Sequence, residues 1–149
     1  MLPYAVDPRE MVGKCALVTG GTQGIGAAIV QRLSSAGATV VATARGPGPK
    51  TAAALFIPAD LSTAAGINTV ASEVKERLGG IDILVSSVGG SSAPSGGFAV
   101  LADEDWQRAL DLNLLAAVRL GRALLPGMLE SGSGVIVHIS LIPRRETEP

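Results

Sequence analysis

Three glycines in LVTGGTQGIG, residues 17 to 26, combine a residue type and a spacing that suit one chemistry, the holding of phosphate. Gly20, Gly24 and Gly26 stand between an apolar run that reads as a strand and a periodic segment that reads as a helix. Lacking side chains, they permit a tight turn, close approach of backbone to a diphosphate, and close packing of helix on strand. The helix then offers free N–H groups and the positive end of its dipole, so Thr22, Gln23 and Ile25 join the glycines as the expected cradle. The spacing is not the common G-x-G-x-x-G; it is T-G-x-x-x-G-x-G, led by Thr19.

The end of the second apolar run should show which nucleotide is held. An acidic residue about 20 positions past such a loop would bond a ribose 2′-hydroxyl, whereas an arginine accommodates a 2′-phosphate. Here the run ends in Ala44 and Arg45, and no Asp or Glu occurs between residues 27 and 59. That pattern favours NADP over NAD, with a plain solvated loop cation as the alternative for Arg45.

The elements that must position these groups are legible as alternation. Apolar runs at 15–20, 39–44, 54–60, 81–87 and 134–140 read as five strands. Most are continuously apolar, as strands of a parallel sheet covered on both faces are. Between them, Ile25, Ile29 and Leu33 recur before Gly37, and Ile67, Val70, Val74 and Leu78 recur before Gly79 and Gly80. A longer helix, about 103 to 129, opens with the acidic DEDW and carries leucines around more of its girth than one sheet contact needs. A second helix, from this chain or another, should pack on it, and Pro126 should kink or end it. The class is α/β, a doubly wound parallel sheet joined by right-handed crossovers.

With 149 residues the chain suits one domain burying about 70% of its unfolded surface. Apolar residues at 47%, charged residues at 17% and a net charge of -1 exclude the disordered class and offer nothing to a polyanion. The partners expected are small molecules or copies of itself, with no nucleic acid and no membrane. A lone cysteine, Cys15, in an apolar run fits a reducing compartment, and the start MLPYAVDPRE has no signal-peptide pattern, so the expectation is cytoplasmic. No uninterrupted apolar run approaches 18 residues.

Thr19, Gly20, Gly24 and Gly26 in their strand and helix context resemble the classical short-chain dehydrogenases/reductases, and further positions follow in the family's order from about residue 12 to 145. The resemblance implies a Rossmann-like sheet of order 3-2-1-4-5, with residues 1–12 an N-terminal extension and 143–149 a polar tail to the single domain 1–149. It places Asp60 and Leu61 against the adenine, where a helix cap, served equally by Ser62, is the alternative for the acid. After the fourth strand the family has N-N-A-G; this chain has Ser86, Ser87, Val88 and Gly89, keeping the glycine beside the cofactor and losing both amides. Asn113 matches the family's asparagine on the long helix, with a buried structural hydrogen bond and a catalytic role both open to it.

The resemblance also implies chemistry that this chain does not spell. In the family a tyrosine exchanges a proton with the substrate oxygen, a lysine four residues on lowers its pKa, and a serine orients the carbonyl or alcohol. The single tyrosine is Tyr4, the lysines are Lys14, Lys50 and Lys75, and no Tyr-x-x-x-Lys exists. Leu141 falls where the serine is expected, with Ser140 one place early and so facing the other way along a strand. His138 has no acidic or cysteine neighbour to make a metal site or triad. The expectation is the cofactor-binding half of an NADP-dependent oxidoreductase, lacking the family's last strands, marginally stable or self-associating through the fifth strand, with an inactive NADP-binding module or a non-functional fragment as alternatives.

Overall fold

The computed structural model describes residues 7–46 and 51–140. Tyr4, Lys50, Leu141 and the tail 143–149 lie outside the described residues. Five parallel strands, β1 (Cys15–Thr19), β2 (Thr39–Ala44), β3 (Leu55–Pro58), β4 (Ile83–Ser86) and β5 (Val135–His138), form one sheet in the order β3-β2-β1-β4-β5. Helices α1 (Gly24–Ser35), α2 (Ala64–Leu78), α3 (Asp103–Leu110) and α4 (Ala116–Ser131) make the crossovers.

The continuous apolar runs are explained by two cores. Successive strand residues point to opposite faces. Leu17, Val41, Ile57 and Leu84 therefore pack with Val70, Val74, Leu120 and Leu124 from α2 and α4. Ala16, Val18, Val40, Ala42 and Val85 pack on the other face with Val30 of α1. Leu17, Leu84 and Leu120 are fully buried, and each such side chain contributes about 1.5–3 kcal/mol.

Caps set the helix ends. At α2 the cap is Thr63, whose Oγ1 accepts from Gly66 N at 3.0 Å, so neither Asp60 nor Ser62 takes the role considered for it from the sequence. Asp60 instead supports the cap, its carbonyl accepting from the Thr63 hydroxyl at 2.9 Å. The segment ends at Gly79 in the left-handed region.

The long helix begins as foreseen at Asp103 but is not uniform: a π turn at Asp111–Leu115 joins α3 to α4. Pro126 does not end it, since α4 runs on to Ser131 and stops at the left-handed Gly132. The loss of one backbone donor at Pro126 is absorbed within a helix already anchored by Leu120, Leu124 and Met128 in the core. The second helix that its girth called for is α2 on one side. Leu110, Leu114, Val118, Leu125 and Leu129 remain exposed on the other.

Taken together, Asp103–Ser131 is 29 residues long, and its apolar window, with mean hydropathy 1.3, suffices by length and composition to cross a membrane. Counting only uninterrupted apolar runs missed this, because a few charges break the run without lowering its mean far. Ala116, Leu120, Leu124 and Met128 are nonetheless buried in the sheet-facing core.

Residues before β1 are docked rather than loose where described. Met11 N donates to Ala36 O at 2.8 Å, and Arg32 pairs with Glu10 at 3.1 Å. At the amino end of the sheet the Asp82 carboxylate accepts from Cys15 N at 2.8 Å and from Lys14 Nζ at 3.3 Å, joining the starts of β1 and β4.

Candidate functional site

The sheet's direction of winding reverses between β1 and β4, and the crevice beyond their carboxyl ends is where open α/β sheets take ligands. The loop after β1 occupies this place. Gly20, at φ +66°, turns the chain there, and its N–H donates to Thr43 O at 2.9 Å, fastening the loop to the end of β2. Gly26 is required by proximity: a Cβ on it would lie 2.1 Å from Gly20 O. No side chain larger than hydrogen fits between loop and helix, so the two are locked into one cradle.

That cradle faces open space with unfilled donors. Gln23 is the N-cap of α1 but makes no side-chain bond to the first turn, which also contains no acidic residue. The amide hydrogens of a first helical turn have no intrahelical acceptor, so this end of α1 keeps its positive charge available. Gln23 and Gly24 are exposed, Thr22 is half-buried, and Ile25 stands 49% exposed at the mouth.

Across the crevice, the chain after β4 is held by two side chains from distant elements. The buried Thr19 hydroxyl accepts from Ser87 N at 2.9 Å and Val88 N at 3.0 Å. Thr19 was read from the sequence only as a motif letter; its action on residues 68 and 69 places away is a tertiary fact. Asn113, in the π turn, accepts from Gly90 N at 2.9 Å and donates to Gly90 O at 2.8 Å and Ala109 O at 2.9 Å. It is exposed, not buried, yet all its polar capacity shown here goes to backbone. Its Oδ1 lies 2.9 Å from where a Cβ on Gly89 would be, so a side chain there would push the Asn113 amide away from Gly90.

Arg45, exposed just past β2, lines a cavity of about 160 Å³ with Gly89, Gly90, Arg108 and Leu112. Asp60 stands beyond β3, its carboxylate accepting from the Ser62 hydroxyl at 2.7 Å and Ser62 N at 3.0 Å. The hydroxyl bond first and the amide bond next hold its pKa below the ordinary value, with burial opposing and Arg45 adding the least. The Leu61 side chain is buried in the core, so what it can present to a ligand is backbone.

Loop, Arg45, Asp60, Gly89 and Asn113 thus gather at the carboxyl end of the strands. Ser140 does not join them by any contact; it is exposed two residues past β5, whose four residues are all exposed at the sheet edge. Lys14 precedes β1 and Lys75 lies in the last turn of α2, both at the opposite, amino end of the strands. Among the described residues there is no tyrosine and no cluster able to hold a metal. Cys15 is half-buried at that far end, its thiol pKa pushed up by burial and then by Asp82.

A family model described as short chain dehydrogenase matches residues 14–143. A fatty acyl-CoA reductase of Mycobacterium tuberculosis is 36% identical over 91% of this chain and 50% of its own length. The crystal structure of L-sorbose reductase from Gluconobacter frateurii, complexed with NADPH and L-sorbose, superposes with a TM-score of 0.78 at 34% identity, covering 88% of this chain and 53% of that one. A metagenomic short-chain oxidoreductase in complex with NADP gives 0.78 at 31% identity, covering 89% and 63%. The chain spans about half the length of the curated relatives it matches.

Proposed function

Because this chain belongs to the short-chain dehydrogenase family, we propose that it binds NADP at the β1–α1 loop and serves as the cofactor-binding half of a carbonyl/alcohol oxidoreductase. The observation that carries the reading is the Gly20–Gly26 contact, a cradle that a single Cβ would fill, opening onto an uncapped helix N-terminus. The residues fit a dinucleotide along its length: Gly20, Thr22, Gln23, Gly24, Ile25 and Gly26 at the diphosphate, Asp60 and the Leu61 backbone at the adenine, Arg45 at the 2′-phosphate, and Gly89 beside the ribose. NADP is preferred over NAD because Arg45 stands where an acid would be needed for a free 2′-hydroxyl.

When bound, the nicotinamide supplies two-electron exchange with a carbonyl or alcohol carbon. This chain's residues bind and orient. The N–H groups of the α1 first turn take the diphosphate, Thr19 fixes the backbone of Ser87 and Val88, and Asn113 holds Gly90 in place. Proton exchange at the substrate oxygen has no donor among these groups, and no Tyr-x-x-x-Lys occurs in the sequence. Turnover is therefore assigned to a form that supplies that pair, with Asn113 contributing from this half.

Self-association is part of the reading. Val135, Ile136, Val137 and Ile139 at the sheet edge and the exposed leucines of α3 and α4 support it, as an unpaired apolar edge templates pairing. Light scattering should show a species larger than a monomer. We place the protein in the cytoplasm on its single free cysteine and family.

Titration of the purified chain with NADPH and NADH, followed by nicotinamide fluorescence, tests the proposal. NADPH should bind the more tightly, and no carbonyl should accelerate its oxidation. Equal binding would remove the role given to Arg45, and no binding of either would remove the site.

A further inference from the structure

We propose that Arg108 is a second cation for the 2′-phosphate, forming with Arg45 a two-arginine clamp; the inference rests on the dinucleotide reading above and names its selectivity device. Arg45 follows β2 and Arg108 lies on α3, far apart in sequence, yet both line the cavity of about 160 Å³ together with Gly89 and Gly90. A phosphate monoester carries about -1.5 to -2 charge near pH 7, and planar guanidinium groups match its oxygens two at a time.

Arg108 is presented rather than consumed by Asp105, the carboxylate it pairs with. Asp105 takes the Nη2 of Arg108 on one oxygen and the N–H of Ala102 on the other, the latter at 2.9 Å. A guanidinium has five N–H donors, so the rest of the fork stays open. The Asp105 side chain is 12% exposed while that of Arg108 is 61% exposed. The carboxylate is thus the anchored partner and the guanidinium the projecting one, steered along the cavity wall. Ser91 and Ser92 line the same cavity and add hydroxyl donors. The cavity is lined by two guanidinium groups and one carboxylate, that of Asp105, so the balance stays positive; it favours the ligand that brings an extra anion and gives a free 2′-hydroxyl nothing comparable.

The clamp is tested by calorimetric titration of the chain with NADP+, NAD+ and adenosine 2′,5′-bisphosphate. Wild type is compared with R108A and R108Q, the second keeping side-chain length without charge, and with R108K. R108A and R108Q should weaken NADP+ and the bisphosphate by about tenfold or more, leave NAD+ within about twofold, and lower the salt dependence of NADP+ binding. R108K should recover only part of the loss, since an ammonium group cannot engage two oxygens as a fork. Unchanged NADP+ affinity in R108A and R108Q, or an equal loss for NAD+, overturns the clamp while leaving the dinucleotide site intact. Failure of wild type to bind any of the three overturns the site and the clamp together.

Discussion

Gly26→Ala is the change that most directly strains the proposed cradle. The added Cβ would sit 2.1 Å from Gly20 O and 2.7 Å from Gly20 C, and contacts under 3.0 Å force something to shift. Both atoms struck are backbone, so no side chain can swing aside, and α1 must retreat from the loop by about 1 Å. Overpacking of that kind costs about 1–3 kcal/mol of stability. The same shift misaligns the first-turn amide hydrogens, and each charge-assisted bond to phosphate is worth about 1.5–3 kcal/mol. Losing one raises the Kd for NADPH by about tenfold to a hundredfold, at 1.4 kcal/mol per decade. Thermal melts by circular dichroism and fluorescence titration with NADPH read the two effects separately. Gly127→Ala is the control: it lies in α4 with nothing within 4 Å of the added Cβ, and should stabilise by about 1 kcal/mol without touching binding. A Gly26→Ala protein that melts and binds as wild type does would refute the reasoning.

Other outcomes follow from single contacts. The Asp82 carboxyl is held below its ordinary pKa first by the Cys15 N–H and then by Lys14, with burial opposing. Its stabilisation is therefore complete above the unfolded-state value near 4 and is lost as pH falls through the lower folded value. Asp82→Asn should cost about 1–2 kcal/mol at pH 7 and flatten the acid limb of a denaturation series below about pH 4. An unaltered acid limb would remove Asp82 from that role. Asn113→Ala should cost about 1 kcal/mol, moderated by exposure of the site, and speed hydrogen exchange at Gly90, whose amide donates to Asn113 Oδ1. Unchanged exchange there would show that the loop holds itself.

Local signals carried much of the fold. The five strand runs were visible because a parallel strand buried on both faces must be apolar at consecutive positions, as Ala16, Leu17 and Val18 are. Helix α1 was legible in Ile25, Ile29 and Leu33, and its end in the Ala36–Gly37 turn. The π turn was not, because Asp111–Leu115 has helix-compatible residues and departs from α only where Asn113 is drawn to Gly90. The α2 cap lies at Thr63, one residue past Ser62 and three past Asp60, since all three are chemically able to cap and only the path of the turn chooses among them.

What the sequence alone determined, then, is the class of the sheet, the glycine cradle and the kind of ligand it suits, because steric permission and periodicity are properties of a residue and its near neighbours. The tertiary structure decided the rest. It brought the Thr19 hydroxyl to Ser87 and Val88, Asn113 to Gly90, and Arg108 to the cavity of Arg45. Each of these joins groups separated by many residues, and such a pairing depends on the sheet order and crossover paths, which no local pattern encodes.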